Sequence, residues 1–89
     1  MYLVIKCLNE RHIRYVISNR DINVLKRFGT HLRNLRKDRK LSQWQLEVAA
    51  DISKNQVGNI ERGEVNITLI TATAIAKALD IPLKDLFDY

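Results

Sequence analysis

Two Ser-x-x-Gln tetrads, Ser42-Gln43-Trp44-Gln45 and Ser53-Lys54-Asn55-Gln56, begin eleven residues apart. In such a tetrad the serine hydroxyl accepts from the backbone amide three residues on, and the glutamine side chain reaches back to the serine amide, so a helix starts there. Two starts this close leave room for one short helix ending near Ala50, a tight connection and a second short helix. Arg62-Gly63 closes the second, because glycine takes the left-handed conformation that ends a helix without steric cost. Leu46, Ala50, Ile52, Val57 and Ile60 then fall where two helices crossing at a steep angle pack on each other.

The flanks read as further helices. Downstream, Thr68 is placed to cap a helix whose inward residues are Leu69, Ala72, Ile75, Ala76 and Leu79, and Pro82 stands at the first position of a final turn running through Phe87. Upstream, Ile22, Leu25, Phe28, Leu32 and Leu35 repeat every three or four residues, which predicts an amphipathic helix from roughly Ile22 to Arg39. Gly29 costs that helix about 1 kcal/mol against alanine, so it marks either a close helix contact or a delayed start. Residues 1–20 differ in character. Tyr2 to Leu8 and His12 to Ser18 are rich in β-branched and aromatic residues and flank a polar Asn9-Glu10-Arg11 step, as in a β-hairpin; a short helix from Glu10 to Ser18 is the competing reading. The expected organisation is an N-terminal extension, 1–20, followed by one helical domain, 21–89.

Charge is spread unevenly. Residues 1–20 carry four bases against one acid, residues 21–40 seven against two, residues 41–62 two against three, and residues 63–89 two against four. A cationic first half attracts phosphate polymers at long range without choosing a sequence among them. Cys7 is the only cysteine, and with only His12 and His31 beside it no internal disulfide and no metal-ligand set is expected. Paired carboxylates, a nucleophile beside a base and a phosphate-binding glycine loop are missing, so no catalytic residues are assigned and an enzyme is not expected. No apolar run approaches the ~20 residues that span a bilayer, which with the lack of a secretory pattern points to the cytoplasm.

On the second short helix, at about 100° per residue, Lys54, Asn55, Gly58, Asn59 and Arg62 share one arc while Val57 and Ile60 face the other way. The arc is polar and nearly free of acids. Asparagine and glutamine can bond adenine edges in the major groove, lysine can bond guanine edges, and a glycine between them lets the backbone approach. Arg33, Lys37, Arg39 and Lys40 in the preceding basic stretch serve either phosphate contact or solubility. Trp44 either covers a neighbouring helix or lies beside the phosphate backbone, where the amides opening the Ser42 helix can also bind phosphate.

Leu41-Ser42-Gln43, Leu46, Ile52-Ser53, Ile60-Glu61-Arg62-Gly63 and Ile75-Ala76-Lys77-Ala78-Leu79 together resemble the Cro/C1-type (XRE) helix-turn-helix family, over roughly Leu25 to Phe87. The resemblance implies a mainly α, five-helix DNA-binding domain, commonly a dimeric transcriptional regulator. It makes Gln43, Lys54, Asn55 and Asn59 the base readers, and it pairs an arginine of the first helix, Arg36, with the glutamate before the Arg-Gly step, Glu61. Two positions depart from the family. Asp51 stands where the turn usually has glycine, a mild change because aspartate tolerates the left-handed conformation. Glu47 stands where the family usually has a small alanine, at the helix crossing, where a carboxylate must swing outward or find a basic partner.

The function expected is sequence-specific binding of double-stranded DNA by a homodimer on a two-fold operator. Ile70, Ala74, Leu83, Phe87 and Tyr89 are the candidates for the dimer contact, if they do not simply finish the core. The alternative is an antitoxin-type interaction module in which residues 1–20 grip a protein partner and DNA binding is autoregulatory.

Overall fold

The computed structural model describes residues 21–89, and the hairpin or short helix expected within residues 1–20, with the protein-binding role attached to it, lies outside them. Helix α1 runs Ile22–Asp38 and is capped by Asp21, whose carboxylate accepts from the amides of Asn23 and Val24. Its buried face carries Phe28, Gly29, Leu32 and Arg36. Ile22 belongs to the same apolar stripe by spacing, yet it lines an open groove with Leu25 and Val65 and is more than half exposed.

Helix α2, Gln43–Ala50, opens on the capping box expected at Ser42: the hydroxyl accepts from the Gln45 amide at 3.0 Å and the Gln45 side chain accepts from the Ser42 amide at 2.8 Å. It ends on Asp51 in the left-handed conformation, φ 57° and ψ 48°.

The second tetrad does not form its box. Helix α3 is only Gln56–Glu61, and its N-cap, Asn55, sits at φ 70° with no side-chain capping bond. A left-handed residue between Ser53 and Gln56 breaks the helical path that a capping box needs, and only a backbone bond from the Gln56 amide to the Ser53 carbonyl remains. Lys54 and Asn55 therefore lie in the turn ahead of the helix, not on it. Gly63, at φ 73°, follows the Arg62 C-cap.

Helix α4, Leu69–Ala78, is capped by the Thr68 hydroxyl on the Thr71 amide. Ala72, Ile75, Ala76 and Leu79 are buried as their spacing requires, but Leu69, in the first turn, is 71% exposed. The expected fifth helix is a 3-10 segment, Leu83–Phe87, closed by bonds such as Asp85 amide to Pro82 carbonyl. Pro82 precedes it in an extended conformation instead of occupying its first position. Five residues in i to i+3 bonding suffice to seat Leu86, fully buried, beneath α1 and α4.

The core is a single cluster in which Leu32 of α1, Leu46 of α2, Val57 and Ile60 of α3, Ile75 of α4 and Leu86 are at most 2% exposed. Gly29 decides how closely α1 and α3 approach. An added Cβ there would lie 2.5 Å from the carbonyl oxygens of both Ile60 and Glu61. The glycine thus marks a helix contact and not a delayed start, since α1 is already under way at Ile22. Gly29→Ala should destabilise the domain by about 1–3 kcal/mol, the usual cost of forcing extra volume into a packed contact. Urea denaturation would show this as a lower midpoint at an unchanged slope.

Candidate nucleic-acid interface

The end of α3 is tied to α1 by a buried ion pair. Arg36 donates through Nε to Glu61 Oε2 at 2.6 Å and through Nη2 to Glu61 Oε1 at 3.0 Å. The two side chains are 9% and 4% exposed. The third arm of the guanidinium, Nη1, donates to the Leu41 carbonyl at 2.8 Å, in the connection between α1 and α2. Gln43, the first residue of α2, donates its amide to the same Glu61 Oε1 at 3.0 Å. The hydrogen bond to Glu61 raises the Arg36 pKa above its ordinary value, with the carboxylate charge adding to it and burial opposing it. One carboxylate thereby fixes α1, the start of α2 and the end of α3 together.

That framework sorts the sequence-predicted readers into two groups. Lys54 and Asn55 are exposed in the turn that leads into α3. Asn55 spends no side-chain bond on capping. Gln43 and Asn59 are already engaged: Gln43 with Glu61, and Asn59 as acceptor from Arg62 Nη2 at 2.6 Å. Arg62 is further paired with Glu64, Nε to Oε2 at 3.0 Å, both side chains 55% exposed. Gly58 is buried beneath two of these groups, and a Cβ on it would meet Arg62 Nη1 at 3.1 Å and Gln43 Oε1 at 3.2 Å. Its bareness serves the packing of those side chains across α3.

Around this centre Arg33 and Lys37 are exposed on α1, and Lys40 is exposed in the turn that follows, at φ 57°. The Ser42 hydroxyl is committed to its cap. Trp44 stands 66% exposed on α2, so its ring covers no neighbouring helix to any large extent. Arg39 has another task, donating to the Leu79 carbonyl where α4 ends.

Glu47 departs from both alternatives expected of it. It is 5% exposed, so it does not swing outward, and among the described residues no basic side chain is within ion-pair distance of it. Instead Oε2 accepts from the backbone amide of Val57, in the first turn of α3, at 3.0 Å. A backbone donor was the partner that reasoning from side chains alone left out. The sequence shows only a long acid ten positions before Val57, and nothing in it marks the amide that receives the carboxylate.

Residues 32–86 match the helix-turn-helix family profile. The chain belongs to the Cro/C1-type helix-turn-helix family. It is 34% identical over 68 residues to the control protein C.BamHI of Bacillus amyloliquefaciens, an alignment spanning 75% of this chain and 84% of that protein. It is 42% identical over 53 residues to the immunity repressor protein of Bacillus phage phi105, spanning 60% of this chain but only 37% of the repressor. Among solved structures it is similar to the restriction-modification controller protein C.AhdI from Aeromonas hydrophila, with a TM-score of 0.71 and 38% identity over 73% of this chain and 98% of that one. Among the described residues of this helix-turn-helix protein, no helix is long and apolar enough to cross a membrane, and no group of three or more His, Cys, Asp or Glu could hold a metal ion.

The two ion pairs should respond very differently to mutation. Arg36→Ala leaves the Glu61 carboxylate buried without its partner and should cost about 3–5 kcal/mol, whereas Glu64→Gln breaks an exposed pair and should cost about 0–1 kcal/mol. Denaturant midpoints of the two variants against the parent check both values.

Proposed function

We propose that this protein is a transcriptional regulator that binds double-stranded DNA in a sequence-specific manner, as a homodimer on a two-fold operator. One observation carries the reading: Lys54 and Asn55 project from the turn at the head of α3 with their polar ends exposed, while the helix behind them is clamped through Glu61 to α1. An ammonium and an amide held on a rigid support suit guanine and adenine edges in the major groove. The controller and repressor names of the similar proteins support the same role.

In this reading the contacts divide by chemistry. Lys54 and Asn55 meet bases directly, whereas Gln43 and Asn59 trade their bonds to Glu61 and Arg62 for base edges when DNA arrives. Arg33, Lys37 and Lys40 supply phosphate contacts, with Ser42, Trp44 and Arg62 along the backbone path, while Gly58, expected there from the sequence, is buried beneath Gln43 and Arg62. Phosphate contacts set register and salt dependence, and base contacts set preference. For the dimer, Ile70 is 82% exposed beside Leu69 at the start of α4, an apolar pair that a second copy would cover.

Fluorescence anisotropy with selected and scrambled duplexes tests the proposal. Asn55→Ala should weaken binding of the selected duplex by about 1–3 kcal/mol and relax the preference at one base pair, while Lys37→Ala should weaken every duplex alike. Equal affinity of the parent protein for all duplexes at physiological salt would overturn it. Ile70→Glu should shift the sedimenting species from dimer to monomer; a parent protein that sediments as a monomer on the operator would remove the two-fold part of the reading.

A further inference from the structure

We infer that Glu47 is a positioning residue for sequence preference, acting through the backbone of Val57 to hold the turn that carries Lys54 and Asn55. The inference rests on the proposal that this turn reads DNA.

A helix start leaves its first amides without intrahelical acceptors, and the residue in the N-cap position ordinarily supplies one. Asn55 occupies that position at φ 70° and supplies none. The acceptor comes from another helix: Glu47, in the second turn of α2, places Oε2 at 3.0 Å from the Val57 amide in a buried bond. No cation among the described residues compensates the Glu47 carboxylate by an ion pair. What compensates it is the amide itself and the partial positive charge of a helix start. A carboxylate so buried can meet its hydrogen-bonding need only where it stands, and this fixes the distance from α2 to the start of α3. The chain between those two points is the turn from Asp51 to Asn55, entered at φ 57° and left at φ 70°. Both ends of the turn are therefore anchored, and the two exposed readers stand two and three residues before the anchored amide. The Ser53 tetrad would cap a longer helix starting further upstream; with Glu47 as acceptor the helix starts at Gln56 and the readers stay in the turn.

The test compares the parent protein with Glu47→Gln and Glu47→Ala by two readouts. The first is exchange of the Val57 amide, followed by NMR without DNA; the second is the ratio of affinities for a selected over a scrambled duplex. Glutamine keeps an acceptor oxygen, so Glu47→Gln should retain the Val57 protection and hold the ratio within about twofold. Alanine removes the acceptor, so Glu47→Ala should expose the Val57 amide and lower the ratio about tenfold, a loss the size of one good base contact, while scrambled-duplex affinity stays unchanged. If the alanine variant does not fold, Glu47→Asp withdraws the carboxylate by one methylene, keeps the charge and should show the same two losses. Protection and ratio both unchanged in Glu47→Ala, with Ser53 taking over the cap, would overturn the inference, as would a Glu47→Gln ratio as low as that of alanine. A parent protein with no preference among duplexes would instead overturn the DNA-reading proposal, and the two failures are told apart because Val57 exchange is read without DNA.

Discussion

A guanidinium and a carboxylate taken out of water must satisfy each other, and the way Arg36 and Glu61 do so sets where the other elements of this domain can lie. Glu61 ends α3 and Arg36 stands in the last two turns of α1, so their two bonds fix the end of the one helix against the other. The remaining arm of Arg36 holds the Leu41 carbonyl, and Gln43 returns from α2 to the same carboxylate. Such a pair adds little net stability compared with a hydrophobic contact of the same volume, but leaving either half alone is expensive, so it penalises every arrangement in which α1 and α3 separate. Gly29 makes the same contact possible sterically, since only a residue without Cβ lets the carbonyls of Ile60 and Glu61 approach α1.

The connection between α2 and α3 obeys a second constraint of the same kind. Val57 has an amide that Asn55 does not cap, and Glu47 has a buried charge without a cation; the bond between them removes both penalties together. Among the described residues, α3 is thus held by a buried carboxylate at each end: Glu61 at its close is bonded to α1 and α2, and Glu47 of α2 is bonded to the amide at its start. A six-residue helix has little stability of its own, and its position is owed almost entirely to these two anchors and to Val57 and Ile60 in the core.

Features set by local chemistry were legible in the amino-acid sequence. The Ser42 box, the Thr68 cap, the left-handed Asp51 and Gly63, and the buried spacing from Ala72 to Leu79 each depend on a few neighbouring residues, and each is present. The misplacements arise where tertiary structure overrides a local preference. Ser53 has the same box as Ser42, but Asn55 turns left-handed and the box is lost. Leu69 fits the apolar spacing of α4, but the first turn of that helix lies outside the core. At the candidate site, the polar character of the residues from Lys54 to Arg62 was readable, whereas their mutual engagement was not: that Asn59 is held by Arg62, Gln43 by Glu61 and Gly58 covered by both neighbours depends on which helices meet. The destination of Glu47 was hidden for a related reason, because a backbone amide left free by an absent cap has no signature of its own in the sequence.

In the proposed function a rigidly held α3, with Lys54 and Asn55 at its head, reads base sequence in two symmetric copies. Selection of bound duplexes from a random pool measures this directly, since the enriched sequences report preference and symmetry together. The expected product is an inverted repeat whose half-sites are separated by about one helical turn, roughly 10 base pairs. A pool that stays random after repeated selection, with binding intact, would contradict it.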